Sequence, residues 1–454
     1  MGFLTSLYEN NNAILYFELF YFSFLTKSLK MKKNLLSLFS GCGGMDIGFE
    51  GGFKVPKATI NLKISNDWIE KEDGFSFFLK ETFFETKFAN DINKQAKIAW
   101  NNYFSQKRGY DLNGTFRVGS IVDIVKEYKK GNRAIFPKNI DVVTGGFPCQ
   151  DFSIAGKRKG LNSHKDHHGN LITTAIPTLE TRGKLYMWMK EVIEITLPNI
   201  FIAENVKGLA NLGKIKELIQ TDFSNINGDG YLVLAPKILH SGAYGVPQSR
   251  QRIIFIGFKK SALTKKALET LSKKNIPEKY SPYPIPTHKL NDKICYLPHQ
   301  DLMKPFTKSR EVLKDLVEPS ETNDLSQTYY SKAKFMGKHC QGQKEISLDK
   351  LAPTIRAEHH GNIEFRRLSI ENGGKIIDEI EAGKKERRLT LRECARIQTF
   401  PDNFNFVIPS NKKGKKFAVS PSVGYKLVGN AVPPLLAYHI AKKIEANWSF
   451  YFKK

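Results

Sequence analysis

Leu35–Leu36–Ser37–Leu38–Phe39 is the stretch that decides the fold, because it runs directly into the glycine-rich segment Ser40–Gly41–Cys42–Gly43–Gly44–Met45–Asp46. The first segment is short and apolar, which predicts a buried β-strand. The second predicts a tight turn, since glycine adopts backbone conformations that other residues avoid. A buried strand that ends in such a turn lets backbone amides approach a nucleotide-like ligand closely. A purely structural turn explains the glycines equally well. The stretch therefore indicates the α/β fold more strongly than it indicates a ligand-binding site.

Similar short apolar runs recur along the chain, at Asp141–Thr144, Ile200–Ala203, Tyr231–Leu234 and Ile253–Phe258. Between them, Leu185–Leu197 has the apolar spacing of a helix. Strands that alternate with helices predict an α/β fold with a doubly wound, mostly parallel sheet. Near the C-terminus, Thr390 and Glu393 have the spacing of a helix-capping box, and a last helix is predicted from Pro433–Pro434 onward.

The composition and the secondary-structure pattern of the sequence change between Lys259 and Glu386. This part contains the proline-rich piece SPYPIPTH, many lysines and no clear alternation of strands and helices. Regular patterns return at Arg387. We therefore expect two domains: residues 31–258 and 387–454 form the larger one, and residues 259–386 form a smaller domain inserted in it.

Residues 1–30 are predicted to form an N-terminal extension outside the fold. Ala13–Leu25 is apolar and aromatic, but it is too short to span a bilayer, and no basic region precedes it. Met31 then begins the segment MKKNLLSLF, which is typical of the natural start of a protein chain.

The chain is strongly basic. Its 454 residues include 70 lysines and arginines against 45 acidic residues, which gives a formal net charge of +25 and a pI of about 9.6. Such a charge attracts polyanions over long distances, and nucleic acid is the commonest of them. A merely basic cytosolic protein is the alternative that charge alone leaves open.

The cysteines are Cys42, Cys149, Cys295, Cys340 and Cys394, which lie far apart and form no CxxC pair. An odd, sparse set argues against a secreted disulfide framework and against a structural zinc site, so we expect a cytoplasmic protein. Histidines cluster at His164–His168 and His359–His360. No cysteine or carboxylate pattern accompanies them, and no metal is expected.

Cys149 differs from the other cysteines in its position. It follows the predicted strand Asp141–Thr144 and the turn Gly145–Pro148, and in open α/β sheets this end of a strand is where ligands and chemistry lie. A lone cysteine is more often a buried structural residue. Against that, the glycine, glutamine, aspartate and serine around Cys149 are poor core residues. Downstream, the basic segment Gly156–Gly160 could close over a phosphate backbone.

Phe88–Ile92 is a further predicted strand, and it contains the acid Asp91. Charged and polar side chains also border other predicted strands, at Glu204, Gln248, Arg250 and Arg252. A carboxylate at Asp91 can hold both hydroxyls of a ribose. The last three side chains are spaced by two residues, so they would share one face of an extended segment and form an array of hydrogen-bond donors. An ordinary surface strand explains two such arginines nearly as well.

Six segments resemble, in their order, the motifs of the DNA cytosine-C5 methyltransferases: FSGCGGMD, GGFPCQDFSIAGKRKG, ENVKGL, GVPQSRQRIIFIG, RRLTLRECARIQTFPDNF and VGNAVPP. They cover Met31–Phe258 and Arg387–Lys443, well over half of the chain. The resemblance implies a class I methyltransferase fold, with a Rossmann-like sheet that binds S-adenosyl-L-methionine. It also implies that residues 259–386 form a target-recognition domain.

The resemblance further implies roles for individual residues. Cofactor-binding positions are Phe39, Gly41, Gly43, Gly44, Asp91, Ile92, Pro148, Asn430 and Val432. Catalytic positions are Cys149 as the nucleophile, Glu204 holding the target base, Arg252 facing the carbonyl of that base, and Gln248 and Arg250 nearby. The resemblance places Ser153 against the DNA backbone, and Gln150 and the basic residues Lys157 and Arg158 of the segment Gly156–Gly160 are further DNA-binding candidates.

Three departures from the family pattern leave alternatives open. Residues 52–87 separate the glycine turn from Asp91, so Ser65–Trp68 (SNDW) is a rival for the ribose-binding motif. Ser120 stands where the family often has an acid that binds adenine. The segment from Gly156 to Gly183 is longer than the usual catalytic loop.

DNA recognition is assigned to the inserted segment. A cytosine inside a duplex is inaccessible, so the base must be flipped out, and the surrounding sequence must be read by a groove-facing surface. Within Thr354–Arg367 (TIRAEHHGNIEFRR), Arg356, Arg366 and Arg367 are candidates for reading guanines or gripping phosphates. A solvated basic face is the alternative.

Three other functions compete with this interpretation: an RNA cytosine methyltransferase of the same fold, a catalytically inactive DNA-binding protein, and an NAD-linked oxidoreductase. The large insertion after Phe258 favours double-stranded DNA, and the presence of both Cys149 and Glu204 disfavours an inactive protein. The Pro-Cys-Gln and Glu-Asn-Val motifs would have no purpose in an oxidoreductase. We expect a monomer without membrane association, in a restriction–modification system whose cognate endonuclease acts separately.

Overall fold

The computed structural model describes residues 31–112, 114–148, 185–211, 215–227, 230–290, 299–337, 339–357 and 363–453. Residues 1–30 lie outside the described residues, and so do the predicted nucleophile Cys149 and the predicted DNA-binding positions Gln150, Ser153, Lys157 and Arg158. Within the described ranges, no helix has the length and the apolar character that a membrane crossing requires.

The strands follow the apolar runs of the sequence. In chain order they are β1 (Lys33–Leu38), β2 (Lys54–Pro56), β3 (Ile69–Asp73), β4 (Ser76–Leu79), β5 (Phe84–Asp91), β6 (Phe116–Val118), β7 (Val142–Gly146), β8 (Ile200–Val206), β9 (Tyr231–Val233), β10 (Lys237–His240), β11 (Gln251–Lys259), β12 (His288–Lys289), β13 (Lys304–Pro305), β14 (Phe365–Arg367), β15 (Arg387–Arg388), β16 (Ile408–Pro409) and β17 (Phe417–Val419). The six predicted strands are confirmed as β1, β5, β7, β8, β9 and β11, with ends that differ by a few residues.

The strand β1 lies in the interior of the main sheet. Among the described residues this sheet has eight strands in the order β10-β11-β8-β7-β1-β5-β6, with β9 paired to β11. Strands β6, β5, β1, β7 and β8 are parallel, whereas β11 runs antiparallel to β8. The carboxyl ends of the parallel strands therefore meet at one edge, and the reversed β11 brings its first residues to that same edge. The predicted α/β architecture with a mostly parallel sheet is confirmed.

Helices cover both faces of the sheet. In chain order they are α1 (Gly44–Glu50), α2 (Leu62–Ser65), α3 (Lys94–Arg108), α4 (Ile121–Lys129), α5 (Leu185–Thr196), α6 (Ile215–Ser224), α7 (Lys265–Leu271), α8 (Ser309–Leu313), α9 (Leu325–Thr328), α10 (Ile377–Glu381), α11 (Leu391–Ile397), α12 (Pro421–Asn430), α13 (Pro434–Ala446) and α14 (Trp448–Tyr451). Leu35 of β1 joins the core formed with α1, α3 and α13, whereas Leu36 and Leu38 join the core formed with α4, α5 and α6. The sheet is thus buried on both sides, as its continuous apolar runs require.

Two helix predictions near the C-terminus are confirmed. Thr390 Oγ1 accepts a hydrogen bond from the Glu393 amide (3.0 Å), and the Glu393 carboxylate accepts one from the Thr390 amide (2.8 Å), so the cap of α11 is reciprocal. The last long helix, α13, begins at Pro434 and packs on α1. Gly48 permits this contact, because a Cβ at that position would lie 2.3 Å from the Pro434 carbonyl oxygen.

Residues 52–87 include a small antiparallel sheet in the order β2-β4-β3. The rival segment Ser65–Trp68 belongs to this addition, where the Trp68 ring packs edge-on against Tyr438 and His439 at 5.3 and 4.7 Å. Asp91 instead ends β5, which pairs directly with β1. The structure therefore separates the two alternatives and favours Asp91 as the acid beside the glycine turn.

The described part of the segment 259–386 has little regular structure, in keeping with its composition. Its first part packs on the C-terminal residues of the chain, since Leu263 forms a β-bridge with Phe452 and the rings of Tyr280 and Phe450 stack at 4.0 Å. Its later part contributes Ile355 to the core that contains α1 and α13. The boundaries of a separate recognition domain stay a prediction.

Candidate active site

The turn after β1 is held by contacts beneath it. Gly43 has a left-handed backbone (φ 87°), and a Cβ there would lie 2.6 Å from the Trp100 ring, so only glycine fits. Asp46 is fully buried and accepts hydrogen bonds from the Ser40 hydroxyl (2.6 Å) and the Trp100 indole (2.7 Å). Burial raises the pKa of Asp46, although these hydrogen bonds oppose the shift. The turn is thus fixed in one conformation.

Asp91 holds the turn from the neighbouring strand. Its Oδ2 accepts a hydrogen bond from the Gly41 amide (3.0 Å), and its Oδ1 accepts one from the Asn93 amide (2.8 Å). Burial raises the pKa of Asp91, and the amide hydrogen bonds oppose this shift. Each carboxylate oxygen has a further lone pair, so the same group can still accept hydrogen bonds from the hydroxyls of a ligand.

A cavity of about 350 Å³ lies at the carboxyl edge of the sheet. The predicted residues that line it are Phe39, Gly41, Gly44, Asp91, Ile92, Pro148, Glu204, Arg250, Arg252, Asn430 and Val432. Gly43 and Gln248 were also predicted, but they are not among its lining residues. Volumes of this order are typical of sites for small organic ligands. The cavity joins predicted cofactor-binding positions to predicted catalytic positions in one continuous space.

Two apolar side chains at the cavity are unusual. Ile92 is 48% exposed although it is large and apolar. Phe39 has a φ of 53°, a left-handed conformation that is rare for a bulky residue. Exposed apolar surface and a strained backbone at one place are typical of a ligand-binding position.

Glu204 and Arg252 form an ion pair in the cavity wall. Glu204 Oε1 and Arg252 Nε are 2.7 Å apart, and the two side chains are only 10% and 12% exposed. Gly146 of β7 lies beside Glu204 in the sheet, and a Cβ there would lie 3.0 Å from Glu204 Oε2, so glycine makes room for the carboxylate. Pro148 follows in the cavity wall, and Cys149 is the next residue of the chain.

Arg250 also lines the cavity, but its guanidinium binds backbone carbonyls. Its Nη1 donates to the Ile355 carbonyl (3.2 Å), and its Nη2 donates to the Gly429 carbonyl (3.0 Å). Gln248 is fully buried and accepts a hydrogen bond from the Ile355 amide (3.4 Å). These two side chains connect the segment 259–386 to the cavity wall, whereas Arg252 faces Glu204.

The arginines predicted to contact DNA lie in two different environments. Arg366 is 9% exposed, and its guanidinium lies 2.6 Å from Glu379 and 3.6 Å from Glu393. Contrary to expectation, the Arg366 guanidinium does not face the solvent where DNA would bind, because two carboxylates already neutralise its charge inside the protein. The Arg356 side chain is 31% exposed and lies 3.3 Å from Glu364. Arg367 is 0% exposed and pairs with Glu318 and Glu379, so Arg356 is the accessible one of the three candidates.

Arg366 belongs to a buried arginine–carboxylate network that consists of Arg366, Arg367, Arg387, Glu318, Glu379 and Glu393. Arg387 lies at its centre, with Nη1 and Nη2 at 2.8 and 2.9 Å from Glu393 and Nε at 2.8 Å from Glu318. Burial alone would lower the pKa of Arg387, but the carboxylates of Glu393 and Glu318 raise it. The network ties the segment 259–386 to β15 and α11, which follow it in the chain.

The described cysteines are poorly suited to nucleophilic attack in this cavity. Cys42 and Cys394 are buried, and burial raises the pKa of both thiols. Cys340 is partly exposed and is not among the lining residues of the cavity. Cys149 differs from these three, since the residue before it lines the cavity.

Some lining residues were missed by sequence reasoning, namely Asn90, Asn93, Leu185 and Leu427, whereas Ser120, which the sequence placed at the position of an adenine-binding acid, does line the cavity. Asn90 is buried, and its Nδ2 donates to the carbonyls of Arg117 and Gly119, both at 3.0 Å. It thereby fixes the turn that places Ser120 in the cavity wall. The position of Asn90 directly before Asp91 was the signal that could have revealed it.

The comparisons with known proteins agree with this geometry. The model of the C-5 cytosine-specific DNA methylase family matches residues 67–446. The chain therefore belongs to this family and is a DNA cytosine-C5 methyltransferase, an enzyme that requires a methyl donor as its second substrate.

Two relatives match nearly the whole chain. The Type II methyltransferase M.BsuRI of Bacillus subtilis is 31% identical over 93% of this chain and 81% of its own length. The Type II methyltransferase M.FnuDI of Fusobacterium nucleatum is 29% identical over 90% of this chain and 94% of its own length. Among solved structures, a mutant DNMT2 of Spodoptera frugiperda matches with a TM-score of 0.51 and 16% identity, over 91% of this chain and 99% of that one. This last likeness shows the fold alone.

Proposed function

We propose that the chain transfers a methyl group from S-adenosylmethionine to C5 of a cytosine flipped out of double-stranded DNA, through a transient bond between Cys149 and C6 of the base. The observation that carries this proposal is the single cavity in which the predicted cofactor-binding residues and the Glu204–Arg252 pair meet. Pro148, the residue before Cys149, lies in the wall of the same cavity.

The residues around the glycine turn fit S-adenosylmethionine. Asp91 offers carboxylate oxygens to the ribose hydroxyls, and the apolar side chains of Phe39 and Ile92 offer a surface to the adenine. Asn430 and Val432 complete the wall of this part of the cavity. When bound, the cofactor supplies an electrophilic methyl group on a sulfonium centre.

The remaining residues activate the base. Cytosine C5 is a poor nucleophile, and addition of the Cys149 thiolate to C6 forms an Sγ–C6 bond that makes C5 the nucleophilic carbon of an enamine. Glu204 holds a proton at N3, which offsets the charge that the addition places on the ring. Arg252 orients Glu204 and donates to the carbonyl oxygen of the base. C5 takes the methyl group from the donor, whose sulfonium would be left as a neutral thioether. A base or a water then removes the C5 proton and the Sγ–C6 bond breaks, which regenerates the thiolate.

The finer description of substrate and setting also belongs to the proposal. The segment 259–386 selects a specific sequence in the duplex, with Arg356 as its accessible arginine. The Type II names of the relatives support a restriction–modification system in which a cognate endonuclease acts separately. We propose that the enzyme acts as a monomer in the cytoplasm.

Transfer of a labelled methyl group to duplex DNA, to RNA or to neither tests the proposal. The wild-type enzyme should label duplex DNA and should become covalently trapped on DNA that contains 5-fluorocytosine, since fluorine cannot leave C5 as a proton does. The Cys149→Ser variant should lose both activities while it retains cofactor binding.

Cys340→Ser is the matched control, because Cys340 does not line the cavity, and it should retain both activities. Normal turnover by the Cys149→Ser enzyme would end the hypothesis of a covalent mechanism. Labelling of RNA in place of DNA would overturn the assigned substrate.

A further inference from the structure

The connection between β16 and β17 carries four lysines within five positions: Lys412, Lys413, Lys415 and Lys416. It is an ordered hairpin, because the Ser410 amide donates to the Lys416 carbonyl (3.1 Å) and the Lys415 amide donates to the Lys412 carbonyl (3.2 Å). All four lysines are exposed. We call residues Ser410–Lys416 the lysine hairpin.

The charge of the lysine hairpin is not compensated locally. The sequence contains no aspartate or glutamate between Asp402 and Glu445. Within the part of the chain that the structure describes, none of the four lysines forms an ion pair. By contrast, Lys57 in the small antiparallel addition lies 2.5 Å from Glu72. Like charges held in one turn repel one another, and a bound polyanion would relieve this repulsion.

The lysine hairpin is continuous with the segment 259–386. Lys416 Nζ lies 5.1 Å from the centre of the Tyr329 ring, and the Phe417 ring packs edge-on against the same tyrosine at 5.2 Å. Just beyond Tyr329, Lys332 and Lys334 are also exposed. The hairpin therefore contacts the segment that is proposed to select the DNA sequence at Tyr329, and exposed lysines follow that tyrosine by three and five positions.

The hairpin is well separated from the chemistry. None of its residues lines the cavity. It is connected to the cavity by the ten-residue helix α12, which starts two residues after β17 and ends at Asn430 in the cavity wall. A helix of that length spans about 15 Å. Contacts made by the hairpin therefore fall on DNA away from the flipped base.

We infer that the lysine hairpin, together with Lys332 and Lys334, binds the phosphates of DNA that flanks the recognition sequence. This inference rests on the proposed duplex DNA substrate and extends it beyond the target site. Lysine is suited to the task because its ammonium group is a compact point charge that contacts phosphates without reading bases. The hairpin therefore contributes affinity and leaves the choice of sequence to other residues.

The test compares two duplexes that carry the methylation site mapped with the wild-type enzyme. One duplex ends close to the site, and the other extends by about two helical turns on each side. The variant Lys412→Gln/Lys413→Gln/Lys415→Gln/Lys416→Gln should bind the long duplex roughly tenfold or more weakly at low salt. Its slope of log Kd against log salt concentration should fall by up to about 3 to 4. The loss on the short duplex should be clearly smaller.

A matched control removes the same charge elsewhere. Lys265, Lys266, Lys273 and Lys274 are exposed lysines in and after α7, and their replacement by glutamine should leave the affinity for both duplexes close to that of the wild type. Replacement of the same four lysines by arginine keeps the charge, so this variant should bind the long duplex about as tightly as the wild type. A triple variant that keeps Lys416, which contacts Tyr329, should still lose affinity for the long duplex without a folding defect.

Equal losses in the hairpin and α7 variants would mean that only net charge matters and would overturn the inference. A loss that does not depend on duplex length would overturn it as well. Failure of the wild-type enzyme to methylate either duplex would instead contradict the proposed function, so the two failures are distinguishable.

Discussion

Two pairs of closely spaced arginines look alike in the sequence but lie in different surroundings. Arg250 and Arg252 line a cavity, where Arg252 meets Glu204 and Arg250 holds carbonyls of the wall. Arg366 and Arg367 are enclosed, with exposures of 9% and 0%, and both bind carboxylates of the arginine–carboxylate network. The difference is whether the charged group borders a space that a ligand can enter.

This difference separates stability from catalysis. When a network residue is removed, its former partner is left as an unpaired charge in the protein interior. When a cavity residue is removed, its partner can be hydrated by water in the cavity. Variants of the network should therefore unfold more easily, whereas variants of the cavity should fold normally and turn over slowly.

The largest effect is expected for Arg387→Ala, at the centre of the network. This change removes the closest partner of Glu393 and one of the two arginine partners of Glu318 inside the protein, so the free energy of unfolding should fall by about 3–5 kcal/mol. Chemical denaturation measures it. Arg310→Ala is the control, because Arg310 makes a bidentate pair with Asp349 in which both side chains are more than half exposed, and it should cost about 1 kcal/mol or less. Similar losses in both variants would contradict the special role of burial.

The next effect concerns the cavity pair. Glu204→Gln keeps the shape of the side chain but removes the group that holds a proton at N3, so kcat should fall by about 100- to 1,000-fold. Single-turnover methyl transfer to duplex DNA measures it. Glu379→Gln makes the same chemical change in the network, and it should lower the melting temperature with little change in kcat of the folded enzyme. The reverse result would place Glu204 outside the catalytic machinery.

Arg356 and Arg366 extend the comparison to DNA recognition. If Arg356 reads a guanine, Arg356→Gln should lose about 1–3 kcal/mol at one base position and relax the sequence preference there. Arg366→Gln should leave the preference intact, because its guanidinium is engaged with Glu379. Bisulfite sequencing of DNA methylated by each variant separates the outcomes. A changed preference in Arg366→Gln alone would show that the buried arginine turns outward when DNA binds.

The main sheet and much of the cavity could be predicted from the sequence. The apolar runs are local signals, and the parallel arrangement brings their carboxyl ends to one edge, so Asp91 and Glu204 were placed correctly at that edge. Spacing by two residues was a weaker signal. It put Gln248 beside the arginines, but the strand β11 starts only at Gln251, and Gln248 turns instead to Ile355.

The surroundings of Arg366 could not be predicted, because its partners are distant or weakly marked in the sequence. Glu393 was recognised only as part of a capping box, yet it also binds Arg387. Nothing in a basic stretch tells a solvated arginine from one that is neutralised in the interior. Whether an arginine is solvated or neutralised depends on long-range pairing with carboxylates, and only the tertiary fold determines that pairing.

The smallest effect, and the most informative about the cofactor, is expected at Asp91. Burial raises the pKa of this carboxyl group in the free protein, while the amides of Asn93 and Gly41 oppose the shift. Ribose hydroxyls donate hydrogen bonds to the ionised form, so cofactor binding favours loss of the proton. Affinity for S-adenosylmethionine should therefore be full above the pKa of Asp91 and should fall as the pH is lowered through it.

Asparagine is nearly isosteric with aspartate but does not ionise. Asp91→Asn should therefore weaken cofactor binding at neutral pH by about 1 kcal/mol and should abolish the fall in affinity at lower pH. Titration calorimetry with S-adenosylmethionine over a pH series measures both effects without any DNA. Asp67→Asn is the control, since Asp67 belongs to the rival segment and is exposed outside the cavity. If the pH dependence persists in Asp91→Asn and disappears in Asp67→Asn, the ribose-binding acid has been assigned to the wrong segment.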